Sequence, residues 1–113
     1  MSDWWLLRDG EVLAAVEMAD GLWARTRGLL GRDGYDGALV LPHTRSVHSF
    51  GMRFPLDVAF LDRSLEVVAT CHLRRWRIAL PRLRARSVLE AESGAFERWQ
   101  LKAGDQLELR PAP

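Results

Sequence analysis

V-H-S-F-G-M-R-F-P-L-D-V-A-F-L-D, from Val47 to Asp62, is the longest apolar run in the chain, yet it carries His48, Arg53 and Asp57. A period of two puts His48, Phe50, Met52, Phe54, Leu56, Val58 and Phe60 on one side. Val47, Ser49, Gly51, Arg53, Pro55, Asp57, Ala59 and Leu61 fall on the other. The first set is a core face with a single histidine. The second is small and polar up to Pro55 and turns apolar at Ala59 and Leu61. Alternation of this kind reads as strand, so a sheet is expected at the centre of the fold. Pro55 has no N–H to give to a ladder, so a bend or an edge is expected near it and the parity need not run through. Charges in such surroundings need partners, because desolvating a lone charge costs on the order of several kcal/mol. Arg53 and Asp57 are expected to find them in each other, or in Arg25 and Glu90.

Downstream, Asp62-Arg63-Ser64-Leu65 reads as a hairpin turn into a strand from Glu66 to Leu73. Val67, Ala69, Cys71 and Leu73 are expected on one face of it, and Glu66, Val68, Thr70 and His72 on the other. Arg74 to Arg86 holds six arginines, no acid, Trp76 and Pro81, and reads as a long ordered loop or edge. Ser87 to Glu92 is another strand. Gly94 to Gln100 suits one or two helical turns capped by Ser93, Lys102-Ala103-Gly104-Asp105 a turn, and Gln106 to Arg110 a closing strand. Upstream, Ala38 to Leu41 is a short strand stopped by Pro42, after a Gly- and Asp-rich loop from Arg32. Asp20 reads as the N-cap of a helix from Gly21 to Leu30, ended by Gly31, with Leu22, Trp23, Thr26, Leu29 and Leu30 on one face. Gly28 inside it costs about 1 kcal/mol relative to alanine; fraying there, or close approach of a backbone or ligand to Ala24 and Gly28, would account for it. At the N-terminus, Trp4–Arg8 and Glu11–Val16 flank Asp9-Gly10, the pair that a type I′ turn takes. The sum is an α+β, mostly β domain: a small antiparallel β-barrel or curled sheet of about seven short strands with one main helix at about 21–30.

A chain of 113 residues makes a single domain, 1–113, long enough to bury roughly two thirds of its unfolded surface. With 48% hydrophobic and 27% charged residues it has the composition of a globular protein. One cysteine excludes an internal disulfide and a Cys-rich zinc site. No leader and no span of about 18 apolar residues is seen, which points to the cytoplasm and to no transmembrane segment. A net charge of +1 gives no global pull toward nucleic acid, although fifteen arginines stand against one lysine.

R-T-R-G-L-L-G-R (Arg25 to Arg32), F-G-M-R-F-P-L-D-V-A-F-L-D (Phe50 to Asp62), V-L-E (Val88 to Glu90) and G-D (Gly104, Asp105) occur in an order that is specific. In these motifs the chain resembles the small prokaryotic proteins of domain of unknown function 192 (DUF192, UPF0127), from about Val12 to Leu109. The resemblance implies one compact β-rich domain with a helix. It implies no reaction, cofactor or catalytic residue, so the candidate site rests on the residues themselves. Some members of that family look exported; the absence of a leader here speaks against such a role.

The candidate ligand-binding residues are Arg25, His48, Arg53, Asp57 and Glu90, lining a polar cleft. Arginine offers a bidentate fork for a carboxylate or phosphate, and Asp57 and Glu90 would hold the arginines or accept from the ligand. The expected function is a binding module for a small anionic ligand or an extended peptide. One rival is a hydrolase or isomerase using His48 with Asp57, although Ser49, its neighbour in a strand, would point to the opposite face. Another is a scaffold docking an acidic partner through the Arg74–Arg86 loop. The structural alternative to all three is an Arg–Asp pair and a satisfied histidine. His43, His48 and His72 match no metal-ligand spacing, and no metal or cofactor is expected. Cys71 reads as a buried small hydrophobe. No nucleic-acid module surrounds the arginines.

Overall fold

The computed structural model describes residues 4–19, 37–49, 52–79 and 81–113. The helix expected at 21–30, Arg25 included, lies outside the described residues.

Strands β1 (Trp4–Arg8) and β2 (Glu11–Met18) form the expected hairpin. Asp9 and Gly10 both have positive φ, 53° and 79°, as a type I′ turn demands. Strand β3 (Ala38–Pro42) runs parallel to β2 and antiparallel to β8 (Ser87–Glu92). Beyond β8 come β5 (Leu56–Leu61) and β6 (Val67–Leu73), while β9 (Glu108–Pro111) pairs with β1. The seven strands lie in the order β6-β5-β8-β3-β2-β1-β9. Of the two forms expected, a barrel or a curled sheet, the curled sheet is found, and one pairing departs from the antiparallel arrangement. The β2–β3 pair is parallel, because residues 19–37 provide the length that a parallel crossover requires. The sheet curls without closing: β6 and β9 remain its edges, with one isolated bridge between them among the described residues, Glu66–Gln106.

The stretch Val47–Asp62 is not one strand. Its start, β4 (Val47–His48), pairs with β7 (Ile78–Ala79) in a separate two-stranded sheet, and only β5 enters the large one. The break falls before Leu56, next to Pro55, where a ladder donor is missing. Apolar clusters cover both faces of the sheet. One holds Leu6, Val16, Val40, Ala59, Leu61, Leu89 and Phe96. The other holds Leu39, Leu41, Met52, Phe54, Leu56, Val58, Phe60 and Val88. Every residue of β5 is buried, as expected for a strand covered on both sides.

The β5–β6 hairpin turns where the sequence predicts, with Leu65 N–H donating to the Asp62 carbonyl at 3.0 Å. A bulge then intervenes: Leu61 pairs with Val67, but Phe60 pairs with Ala69. Val67 therefore joins the first cluster, opposite to Ala69, Cys71 and Leu73, which corrects the single face expected for the four.

Candidate functional site

Asp57 and Glu90 occupy neighbouring strands but opposite faces of the sheet. In the β5–β8 ladder Asp57 stands across from Ala91 and Glu90 from Val58. Residues directly across a ladder share a face, and successive residues alternate, so the two carboxyls are separated by the sheet. They do not line one cleft.

On the first face, Asp57 organises the short helix α1 (Ala95–Trp99). Its Oδ2 accepts from the Gly94 N–H at 2.9 Å and from the Phe96 N–H at 3.1 Å. Gly94, with φ of 99°, gives the entry its left-handed bend, and no side chain of the helix's own segment caps it. Ser93, the expected cap, instead places its hydroxyl 3.3 Å from His72 Nδ1. The same Nδ1 lies 3.3 Å from Asp57 Oδ1. Arg8 closes the other end of α1, donating to the Trp99 carbonyl at 2.6 Å and the Gln100 carbonyl at 3.2 Å. Asp57, His72, Ser93, Gly94, Thr70 and Phe96 line an open pocket of about 410 Å³.

A carboxylate, an imidazole and a hydroxyl in contact suggest nucleophilic catalysis, but the geometry is wrong for it. A relay needs the carboxylate and the hydroxyl on opposite ring nitrogens. Here both meet Nδ1. Asp57 is held by helix N–H groups and His72, and its role is to fix α1 to the sheet.

On the second face, Glu90 is 3% exposed, between Val58 of β5 and Leu39 of β3. Met52 and Phe54 pack into the same cluster. Burial pushes its carboxyl up to about 7. The Asp57 carboxylate has two N–H donors; no hydrogen bond to the Glu90 carboxyl is found among the described residues. Nor is any side-chain polar atom there both sealed and without a partner.

The remaining candidates divide as follows. Arg53 is exposed, between the buried Met52 and Phe54. The His48 backbone pairs with Ile78; its side chain, like Arg25, lies outside the described residues. Ser49 is wholly buried, with its hydroxyl on the backbone of the 74–77 turn, accepting from the Arg77 N–H at 2.8 Å. It is structural. Cys71 is half-buried, and burial pushes its thiol up, with the Arg82 guanidinium pulling the other way. Among the described residues no three His, Cys, Asp or Glu side chains come together as a metal site would require.

His72 was not among the sequence candidates. It reaches Asp57 because the bulge opposite Leu61 shifts the β6 register by one residue, and no residue type in the hairpin signals that shift.

Residues 6–109 match the model of DUF192, described as an uncharacterised ACR family. A UPF0127 protein of Pyrococcus horikoshii is 36% identical over 97 residues, covering 81% of this chain and 84% of its own. One of Pyrococcus furiosus is 37% identical over 103 residues, covering 87% and 89%. A crystal structure of a protein of unknown function from Novosphingobium aromaticivorans superposes with a TM-score of 0.78 at 19% identity, over 94% of this chain and 83% of that one. At that identity the likeness concerns the fold alone.

Proposed function

We propose, for a chain that belongs to the uncharacterised DUF192 family, that it is a small binding module in which Glu90 recognises the ligand. The observation behind this reading is the buried carboxyl with no hydrogen bond among the described residues, set in the middle of an apolar sheet face. Buried polar groups are nearly always hydrogen-bonded, and one that is not destabilises the fold. Such a group is retained where a ligand supplies the partner. The ligand presents an N–H or amine to Glu90 and lays its apolar part against Met52, Phe54 and Val58. Its anionic end meets Arg53 at the rim. A small zwitterionic molecule or an extended peptide has this chemistry. A cytoplasmic address goes with this reading: Cys71 is a free thiol, and no described helix is long and apolar enough to cross a membrane.

Glu90→Gln tests it. Native mass spectrometry of the purified protein, with metabolite extracts added back, should reveal a retained small molecule that the variant loses. Arg53→Met should weaken retention of the same molecule by about ten-fold, the loss of one charge-assisted hydrogen bond. Equal retention by wild type and Glu90→Gln, or none by either, would end the proposal.

A further inference from the structure

We propose that the Arg74–Arg86 strap docks the protein on an anionic membrane surface, by arginine contacts to lipid phosphates and shallow insertion of Trp76 and Leu83. The strap holds six arginines and no acid. Its contacts with the rest of the protein leave that charge standing. Arg77 and Arg86 donate to backbone carbonyls of the strap itself, and Arg75 to the Met52 carbonyl. Among the described residues the strap's one ion pair is a long one, Arg84 to Asp62 at 3.9 Å. Arg84 and Arg86 also line an open pocket with Arg63, Ser64 and Asp62, where three arginines outweigh one acid and extend the basic surface onto the β5–β6 turn.

The exposed apolar residues support the same reading. Of the four large hydrophobic residues exposed among those described, three lie in the strap: Trp76 at 57%, Ile78 at 58% and Leu83 at 85%. Exposed apolar residues of this size, gathered within one segment, mark an interaction site. Leu83 stands in a turn closed by the Ala85 N–H to the Arg82 carbonyl at 3.0 Å, with arginines on both sides. A convex leucine suits a deformable apolar phase, whereas a folded partner would need a matching pocket. Nucleic acid would be read by stacking on several aromatic rings, and the strap has one. Tryptophan and arginine are the side chains that settle at the lipid–water boundary.

The strap is also held in shape. Trp76 has φ of 61°, which a bulky residue rarely adopts. Its N–H donates to the Ser49 carbonyl at 3.1 Å, and the buried Ser49 hydroxyl fixes Arg77 next to it. The fold therefore maintains a strained turn that keeps an indole largely in solvent, and a functional surface accounts for the strain.

The test is flotation with vesicles of phosphatidylglycerol and of phosphatidylcholine, using the full chain. The wild type should float with the anionic vesicles, not with the zwitterionic ones, and release as salt rises. Arg74→Gln, Arg82→Gln and Arg84→Gln combined should lower partitioning about a hundred-fold, at roughly five-fold per arginine. Trp76→Asn with Leu83→Asn should lower it at least ten-fold while the thermal melt stays near wild type; asparagine tolerates the left-handed backbone at 76. No binding to anionic vesicles would overturn the proposal, as would binding that survives the Trp76/Leu83 double substitution. So would tighter binding to a single-stranded oligonucleotide that the same double substitution leaves intact, because the surface would then serve nucleic acid.

Discussion

Replacing Glu90 with glutamine should stabilise the protein in alkaline buffer and change little in acid. Glu90 is an acid whose pKa is raised on folding, from 4.5 to about 7, and the cause is burial. Below about pH 4.5 both folded and unfolded chains hold the proton, and the group contributes nothing. Between those values the unfolded chain has released it while the folded chain keeps it, so stability falls as pH rises. Above about pH 7 both are ionised and the loss is complete. At about 1.4 kcal/mol per pH unit, the span amounts to about 3 kcal/mol. Glutamine carries no such proton. Urea titrations of both proteins from about pH 5 to about pH 8 isolate the effect, because every other titrating group is common to them. The difference between the two stabilities should widen with pH, in favour of glutamine. A difference that is flat, or that widens toward acid, would mean that the Glu90 carboxylate is compensated in the folded state.

Three further outcomes follow from the site. Asp57→Ala leaves the Gly94 and Phe96 N–H groups without an acceptor and should cost about 3 kcal/mol, while Asp57→Asn, which keeps one acceptor, should cost about half as much; denaturant titrations that find alanine no worse than asparagine would remove the capping role. Arg53→Met should cost less than about 1 kcal/mol in the same measurement, as the loss of an exposed arginine's interaction does, and a larger loss would mean that its head supports the fold. Cys71 should react with a thiol reagent near neutral pH well below the rate of an unstructured peptide, because burial holds the thiol protonated; peptide-like labelling would contradict that.

What the sequence reveals here, it reveals through local chemistry. Asp9-Gly10 names its own turn, and the Asp62 carboxylate secures the next one, accepting from Ser64 and Glu66 N–H. Pro55 divides the central stretch. Glu90 is conspicuous as a carboxylate inside V-L-E-A. Illegible were the quantities set by registers. The bulge at Val68 moves His72 opposite Asp57, and without it Cys71 would stand there. The β5–β8 ladder decides that Asp57 and Glu90 face apart, and two antiparallel apolar strands slide by one residue with no change in composition. Ser93 has the right residue type and position to cap α1; an aspartate 37 residues before Gly94 does so instead, and such a long-range contact leaves no sequence pattern.

Burial alone would treat the two carboxyls alike, since Asp57 and Glu90 are 8% and 3% exposed. Hydrogen-bond accounting separates them. The Asp57 oxygens meet two backbone N–H groups and an imidazole, so deleting the carboxyl leaves those groups without their acceptor and must destabilise. Among the described residues the ladder neighbours of Glu90 are Leu39 and Val58, and burial raises its pKa, so ionising it opposes folding and removing its charge is expected to help. The two substitutions are thus expected to have opposite signs above neutral pH, one strand apart in the same sheet. Among the described residues the Asp57 face, for all its resemblance to a catalytic cluster, fastens the helix, and the Glu90 carboxyl has no comparable partner.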